Sequence, residues 1–337
     1  MLPVIARLLP LTAAAWSLSY GALGLFWAAG GGGFPYGPSD RATRMGAVLV
    51  GLPPLPTGVL IALFGLAGTL VGLGSAGIGP AGRSRPTGDG AVAGRAPAVL
   101  RVLALVLGAL LLLVVPDGRL LLALGEILVL HPERAEPAAV HQAFCALGGA
   151  AFLLAARRRG DQRREALDVD AARRVTYLAA ALPLLYVAPR LLWALGWTVG
   201  LDTATTAMVT SPVGRVRELV FAAAAAAGGL VTLGLTQRWG TRLPGAVPWL
   251  GGRRVPVPLA TVPAGVVALA LIGAGATMWR ALAGALLGSS PGAEALSTAN
   301  WGAWLGNLAW LPWGVALAAA TLSYRRRRGA PGEADRR

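Results

Sequence analysis

The residue whose type and setting most invite chemistry is Arg190, a guanidinium inside the run YVAPRLLWALG at 186–196 that is otherwise built for lipid. An intramembrane charge is costly, so it either snorkels to the headgroups or faces the bundle interior beside a partner. Steps of four and seven residues return to nearly one helix face, which places Tyr186, Arg190 and Trp193 on a single stripe. Facing inward, Arg190 needs a carboxylate, and Glu126, Asp202 and Glu218 are the candidates, Glu126 first. The same frame stands earlier as YGALGLFWAAG at 20–30. Tyr20, Trp27 and Gly30 match Tyr186, Trp193 and Gly196 there, while Gly24 takes the place of Arg190.

Other polar residues offer less. His141 and Gln142 open the fourth apolar run, and His131 precedes them beyond Pro132. Two imidazoles can in principle hold haem or a metal, but no ligand set surrounds them in the sequence, so interfacial polar residues are expected and neither metal nor cofactor. Asn307 lies in the last run among Trp301, Trp304, Trp310 and Trp313. Helical rotation sets 301 and 304 nearly opposite 310 and 313, which points to interface anchoring and packing and away from a single aromatic cage. The turn GGGGFPYG at 30–37 lacks the Gly-Lys-Ser/Thr ending of a phosphate loop and reads as a flexible outer turn. Cys145 is the only cysteine, which excludes an intrachain disulfide and any two-thiolate site. No acidic residue falls securely within an apolar run, so an enzyme's convergent acids and bases are not in view.

These residues are carried by a chain that is 55% hydrophobic and 13% charged over 337 residues, the composition of a polytopic membrane protein. Eight spans account for it, at about 8–29, 52–76, 97–116, 138–156, 175–198, 217–236, 259–279 and 301–323, each near the ~20 residues that cross hydrocarbon. The small residues Ala13, Ala14 and Ala15 resemble a signal cleavage site, but the first run continues well past them, so a retained helix is expected. The 120–130 piece is too short to span and follows Pro116, Asp117, Gly118 and Arg119, which suits a re-entrant or interfacial segment. The formal net charge is +15, with every basic residue an arginine. These cluster after spans two, four, six and eight, so both termini are expected in the cytoplasm of a plasma-membrane protein, and a nucleic-acid surface is not implied. Arg215 and Arg217 fall on the opposite side, partly offset by Asp202 and Glu218.

A second regularity joins the two Tyr-Trp-Gly frames. GTLVGLG at 68–74 matches GGLVTLG at 228–234 in five of seven positions, and the halves end alike in AARRRG and SYRRRRG. The offsets are 166 for the frames and 160 for the glycine motif, with the differences falling where loops belong. A tandem 4+4 parallel repeat is therefore expected: 1–160, a basic linker at 161–174, a second half at 175–324 and a basic disordered tail at 325–337. The Trp-Ala-x-Gly frame is similar to one in small four-helix bacterial membrane proteins of unknown function. The stretch LTQRWGTRLPGAVPWLGGRRVPVPLATVPA at 235–264 resembles a connection in eight-helix actinobacterial membrane proteins of unknown activity. That likeness implies an all-α membrane bundle and carries no catalytic residues. Small-solute transport or permeation is the first expectation, since it fits parallel repeats with one interior arginine, and an intramembrane enzyme acting on lipid-linked substrates ranks last. A sensor or assembly subunit bound to another membrane protein fits the sparse polar interior.

Overall fold

The computed structural model describes residues 2–37, 40, 47–78, 95–128, 136–157, 169–242, 251–288 and 296–329. Those residues divide into two compact units, 1–165 and 166–337. Among them the regular structure is helical, with one isolated β-bridge and no strand.

The first unit contains α1 (Leu2–Ala28), α2 (Pro54–Ser75), α3 (Arg95–Leu113), α4 (Gly118–Leu128) and α5 (Pro137–Ala155). Proline opens α2 and α5, where its missing N–H would have had no intrahelical partner. α1 packs chiefly on α2, and α5 lies against both α1 and α3. The chain bends by 63° between α3 and α4, around Pro116 and Asp117, so the expected short piece forms a separate helix after a sharp corner. Asp117 starts α4 by accepting the Arg119 N–H at 2.9 Å. Aromatic rings fill the middle of the unit, with Trp16 stacked 4.8 Å from Tyr20 and Phe64 edge-on to Tyr20 at 6.1 Å.

The second unit contains α6 (Val169–Ala181), α7 (Leu184–Ala194), α8 (Thr203–Thr210), α9 (Pro212–Leu233), α10 (Val257–Leu286), α11 (Trp301–Leu305) and α12 (Trp310–Gly329). Pro183 separates α6 from α7 within one apolar stretch. Ser211 caps α9 by accepting the Gly214 N–H at 3.0 Å. α7 packs on α9, α10 on α12, and α6 on α12 and α9. A 3-10 turn at Gly306–Ala309 interrupts the last stretch before α12. That helix continues to Gly329, so Arg325–Arg328 are helical and not part of a disordered tail; residues 330–337 lie outside the described residues.

Among the described residues seven helical stretches are long and apolar enough to cross a membrane, or eight where the bent α3–α4 pair is counted as one span. Their bounds, such as Leu8–Ala28, Pro54–Ser75 and Pro212–Leu233, fall close to the expected spans. The chain has the architecture of an all-α integral membrane protein.

Candidate functional site

The Tyr-Trp-Gly frame acts first as a helix stop. Gly30 and Gly196 adopt φ of 88° and 98°, a conformation open to glycine at little cost. In each case the following N–H bonds five residues back, Gly31 to Phe26 and Trp197 to Leu192, both at 2.9 Å. Trp27 and Trp193, three residues before the glycines, are both buried.

On α7 the stripe faces inward. Arg190 Nη1 donates to Glu218 Oε2 on α9, and Arg217 Nη2 donates to the other oxygen at 3.1 Å. The Arg190 side chain is 14% exposed and that of Glu218 only 2%, so this is an interior ion pair. Three rings surround the guanidinium, with centroids at 4.1 Å for Tyr186, 5.3 Å for Phe221 and 5.7 Å for Trp193. The partner is Glu218 and not the preferred Glu126, which lies on α4 of the other unit. Glu218 also corrects the expectation that no acid falls securely within a span: at the edge of the expected 217–236 run, it sits in the second turn of α9, where Arg190 and Arg217 meet its charge.

The first unit holds a second polar network, which motif reading missed. Arg119 donates from Nε and Nη2 to Asp117, the latter at 2.7 Å, and from Nη1 to Asp40 at 2.9 Å and Glu136 at 3.4 Å. Its guanidinium lies 5.3 Å from the Tyr36 ring, and the Tyr36 hydroxyl is 2.8 Å from His141 Nδ1. Tyr36 is 1% exposed, and burial pushes its phenol far above the usual range. The turn at 30–37 is thus pinned from inside by Tyr36 and is more than a flexible connection. His141 also stands 3.6 Å from Cys145 Sγ, one helical turn on, with Tyr20 and Trp27 rings each 5.6 Å away. The signals in sequence were the Pro-Asp-Gly-Arg corner at 116–119 and the four-residue spacing of His141 and Cys145.

The named residues therefore sort into two groups. Tyr20, Trp27 and His141 meet in the first unit, and Tyr186, Arg190 and Trp193 meet in the second. Asn307 joins neither: it sits in the 3-10 turn and donates to the Ala303 carbonyl at 3.2 Å. His131 lies outside the described residues. Of the four tryptophans in the last stretch, Trp310 packs on Tyr186 at 5.7 Å, Trp304 donates to the Ser297 carbonyl, and Trp301 is 44% exposed. They do not form one cage.

A cavity of about 330 Å³ opens beside the first network, between α1, the 30–37 turn and α5. Leu23, Trp27, Pro35, Val140 and Phe144 line it, with His141 the polar member. Among the described residues no group of three or more His, Cys, Asp or Glu side chains gathers to hold a metal ion. No family model, curated protein or solved structure matches the chain.

Proposed function

We propose that the chain is a tandem repeat of a four-span unit that serves the plasma membrane as a non-catalytic sensor or assembly subunit, with both termini cytoplasmic. The observation that carries this reading is where the interior charge goes. Arg190 is matched by Glu218 beneath three rings, and Arg119 by Asp117, Asp40 and Glu136, so these cations tie helices and loops together and are not presented to a solute. The cavity is lined mainly by apolar side chains and does not include Arg190. A solute path would instead need convergent polar groups along a wet route.

Several observations support the repeat. In each unit the first span packs on the second, the third on the fourth and the first on the fourth. The matched glycines end their helices with the same hydrogen bond. The 160-residue offset of the glycine motif makes Gly58 the counterpart of Glu218 and Ile61 that of Phe221. A β-carbon on Gly24 would meet Gly58 and Ile61, just as Arg190 meets Glu218 and Phe221. The orientation rests on the arginine-rich segments after alternate spans.

Reconstitution separates this function from transport. Vesicles carrying the purified chain are expected to show no more swelling or uptake of sugars, amino acids or small anions than protein-free vesicles. Saturable uptake that disappears in Arg190→Ala would overturn the reading in favour of a transporter. Labelling of single cysteines placed at 163 and 327 should find both shielded from the outer face of intact cells, and opposite accessibility would break both topology and repeat.

A further inference from the structure

In the second unit, arginines from three segments converge where α12 ends. Arg238 and Arg242 follow α9, Arg253 and Arg254 precede α10, and four more close α12. Between Glu218 and Glu333 the sequence contains a single acid, Glu294, which belongs to the connection between α10 and α11. The arrangement is specific. Arg242 and Arg254 face each other in the isolated antiparallel bridge, and Val255 N–H donates to the Thr241 carbonyl at 3.0 Å. That bond makes the arginines a non-hydrogen-bonded pair, the kind whose α-carbons come within about 4.5 Å. Like charges directly opposite in such a pair are destabilising.

A third guanidinium is then drawn to the same place. Arg328 donates to the Val255 carbonyl at 2.9 Å and to the Thr241 carbonyl at 3.4 Å, so it binds both sides of the bridge. It lies 5.8 Å from the Tyr324 ring, and Tyr324 is itself buried and donates to the Gly240 carbonyl at 2.8 Å. Orienting a membrane protein requires only positive charge somewhere in a connecting segment. It does not require two arginines opposed across a bridge with a third clamped beside them. Arg242 and Arg254 are exposed, as is Trp239 in the preceding turn, a residue suited to the membrane–water boundary.

We propose that this cluster is a binding site for the phosphate headgroup of an anionic phospholipid, gripped by the guanidinium forks of Arg242 and Arg254 with Arg328 adding a third positive charge. The planar fork matches phosphate oxygens two at a time, and an anion between the opposed arginines converts their repulsion into attraction. A lipid is favoured over a soluble phosphate because the cluster sits at the ends of α9, α10 and α12, with an exposed tryptophan alongside.

The full chain, purified in neutral detergent and stripped of lipid, tests this by native mass spectrometry and thermal unfolding with added phosphatidylglycerol, phosphatidylcholine or inorganic pyrophosphate. Phosphatidylglycerol should bind and raise Tm, and the other two should do neither. Arg242→Gln/Arg254→Gln should weaken phosphatidylglycerol binding about thirtyfold, at roughly the contribution of one surface arginine each. Arg254→Gln alone should weaken it about fivefold and leaves the Val255 backbone bond available should the double variant fold poorly. Arg174→Gln, an exposed arginine on α6, should change nothing. Equal binding by wild type and the bridge variants, or a loss matched by Arg174→Gln, would overturn the site. Equal stabilisation by pyrophosphate would overturn the lipid assignment in favour of a soluble anion.

Discussion

Where α1 packs on α2, Gly24 and Gly58 bring backbone against backbone; where α7 packs on α9, Arg190 and Glu218 fill the contact with a charge pair. A β-carbon on Gly24 would lie 2.7 Å from Ala62 N and from the Gly58 carbonyl oxygen. The glycines continue along the first contact, with Gly65 against Gly21, Gly68 against Ser17 and Gly72 against Ala14. Small residues let membrane helices approach closely and gain dispersion contact without desolvating a charge. The second contact accepts that desolvation and gains a directional tie, closed over by Tyr186, Phe221 and Trp193. On the proposed repeat the two contacts occupy the same place in their units. One seam is then fixed by shape and the other by charge.

Breaking the charged seam should have the largest effect. Glu218→Leu strands Arg190 beneath its rings and should cost about 3–5 kcal/mol, read as loss of folded protein in fluorescence-detected size exclusion and a lower Tm. Arg190→Leu/Glu218→Leu should recover most of that loss, because replacing both charges with apolar groups is far less costly than removing one. A double variant no better than Glu218→Leu alone would mean the pair is not the tie. The glycine seam should fail for a different reason. Gly24→Leu places its side chain into the α2 backbone and should cost about 1–3 kcal/mol by overpacking, with no rescue from any charge change. An unaltered Tm would show that α1 and α2 can separate freely.

Each unit also secures the turn after its first span in its own way. In the first unit Tyr36 reaches back to His141, and Tyr36→Phe keeps the ring over Arg119 while removing the hydroxyl. The buried imidazole nitrogen then lacks that partner, for a loss of about 1–3 kcal/mol measured by thermal unfolding. Proteolysis within the 30–37 turn should also become faster. Unchanged stability and proteolysis would return the turn to a loose connection.

Much of the fold was legible because hydrophobic length is a property of local sequence. Leu8–Ala28 and Pro137–Ala155 follow from their apolar runs alone. The inward stripe of Tyr186, Arg190 and Trp193 follows from helical periodicity. Choosing Glu218 over Glu126 does not, because which helix lies beside α7 is a tertiary fact. In the sequence Glu218 stands at the edge of the 217–236 run, where nothing distinguishes it from Glu126 or Asp202 as the partner. The Arg119 network was harder still. Its members at 36, 40, 117, 119, 136 and 141 come from three separate stretches of chain, and which of those stretches meet is again a tertiary fact.

The smallest expected effect concerns the corresponding turn of the second unit, which is held by a cap where the first uses a buried tyrosine. Asp202 accepts the Thr205 N–H at 2.7 Å and so starts α8, and Asn300 ties the same turn through the Thr205 hydroxyl at 3.1 Å. Hydrogen bonds from Thr205, backbone first, hold the Asp202 carboxyl below its usual value. A carboxyl with a depressed folded pKa contributes its stability above the unfolded value of about 3.9 and loses it as pH falls through the folded value. Asp202→Ala should therefore lower Tm slightly and by a constant amount from neutral pH to about pH 5, and the gap to wild type should close below about pH 4. A gap that persisted in acid would assign the role of Asp202 to packing and remove the contrast between a capped turn and a pinned one.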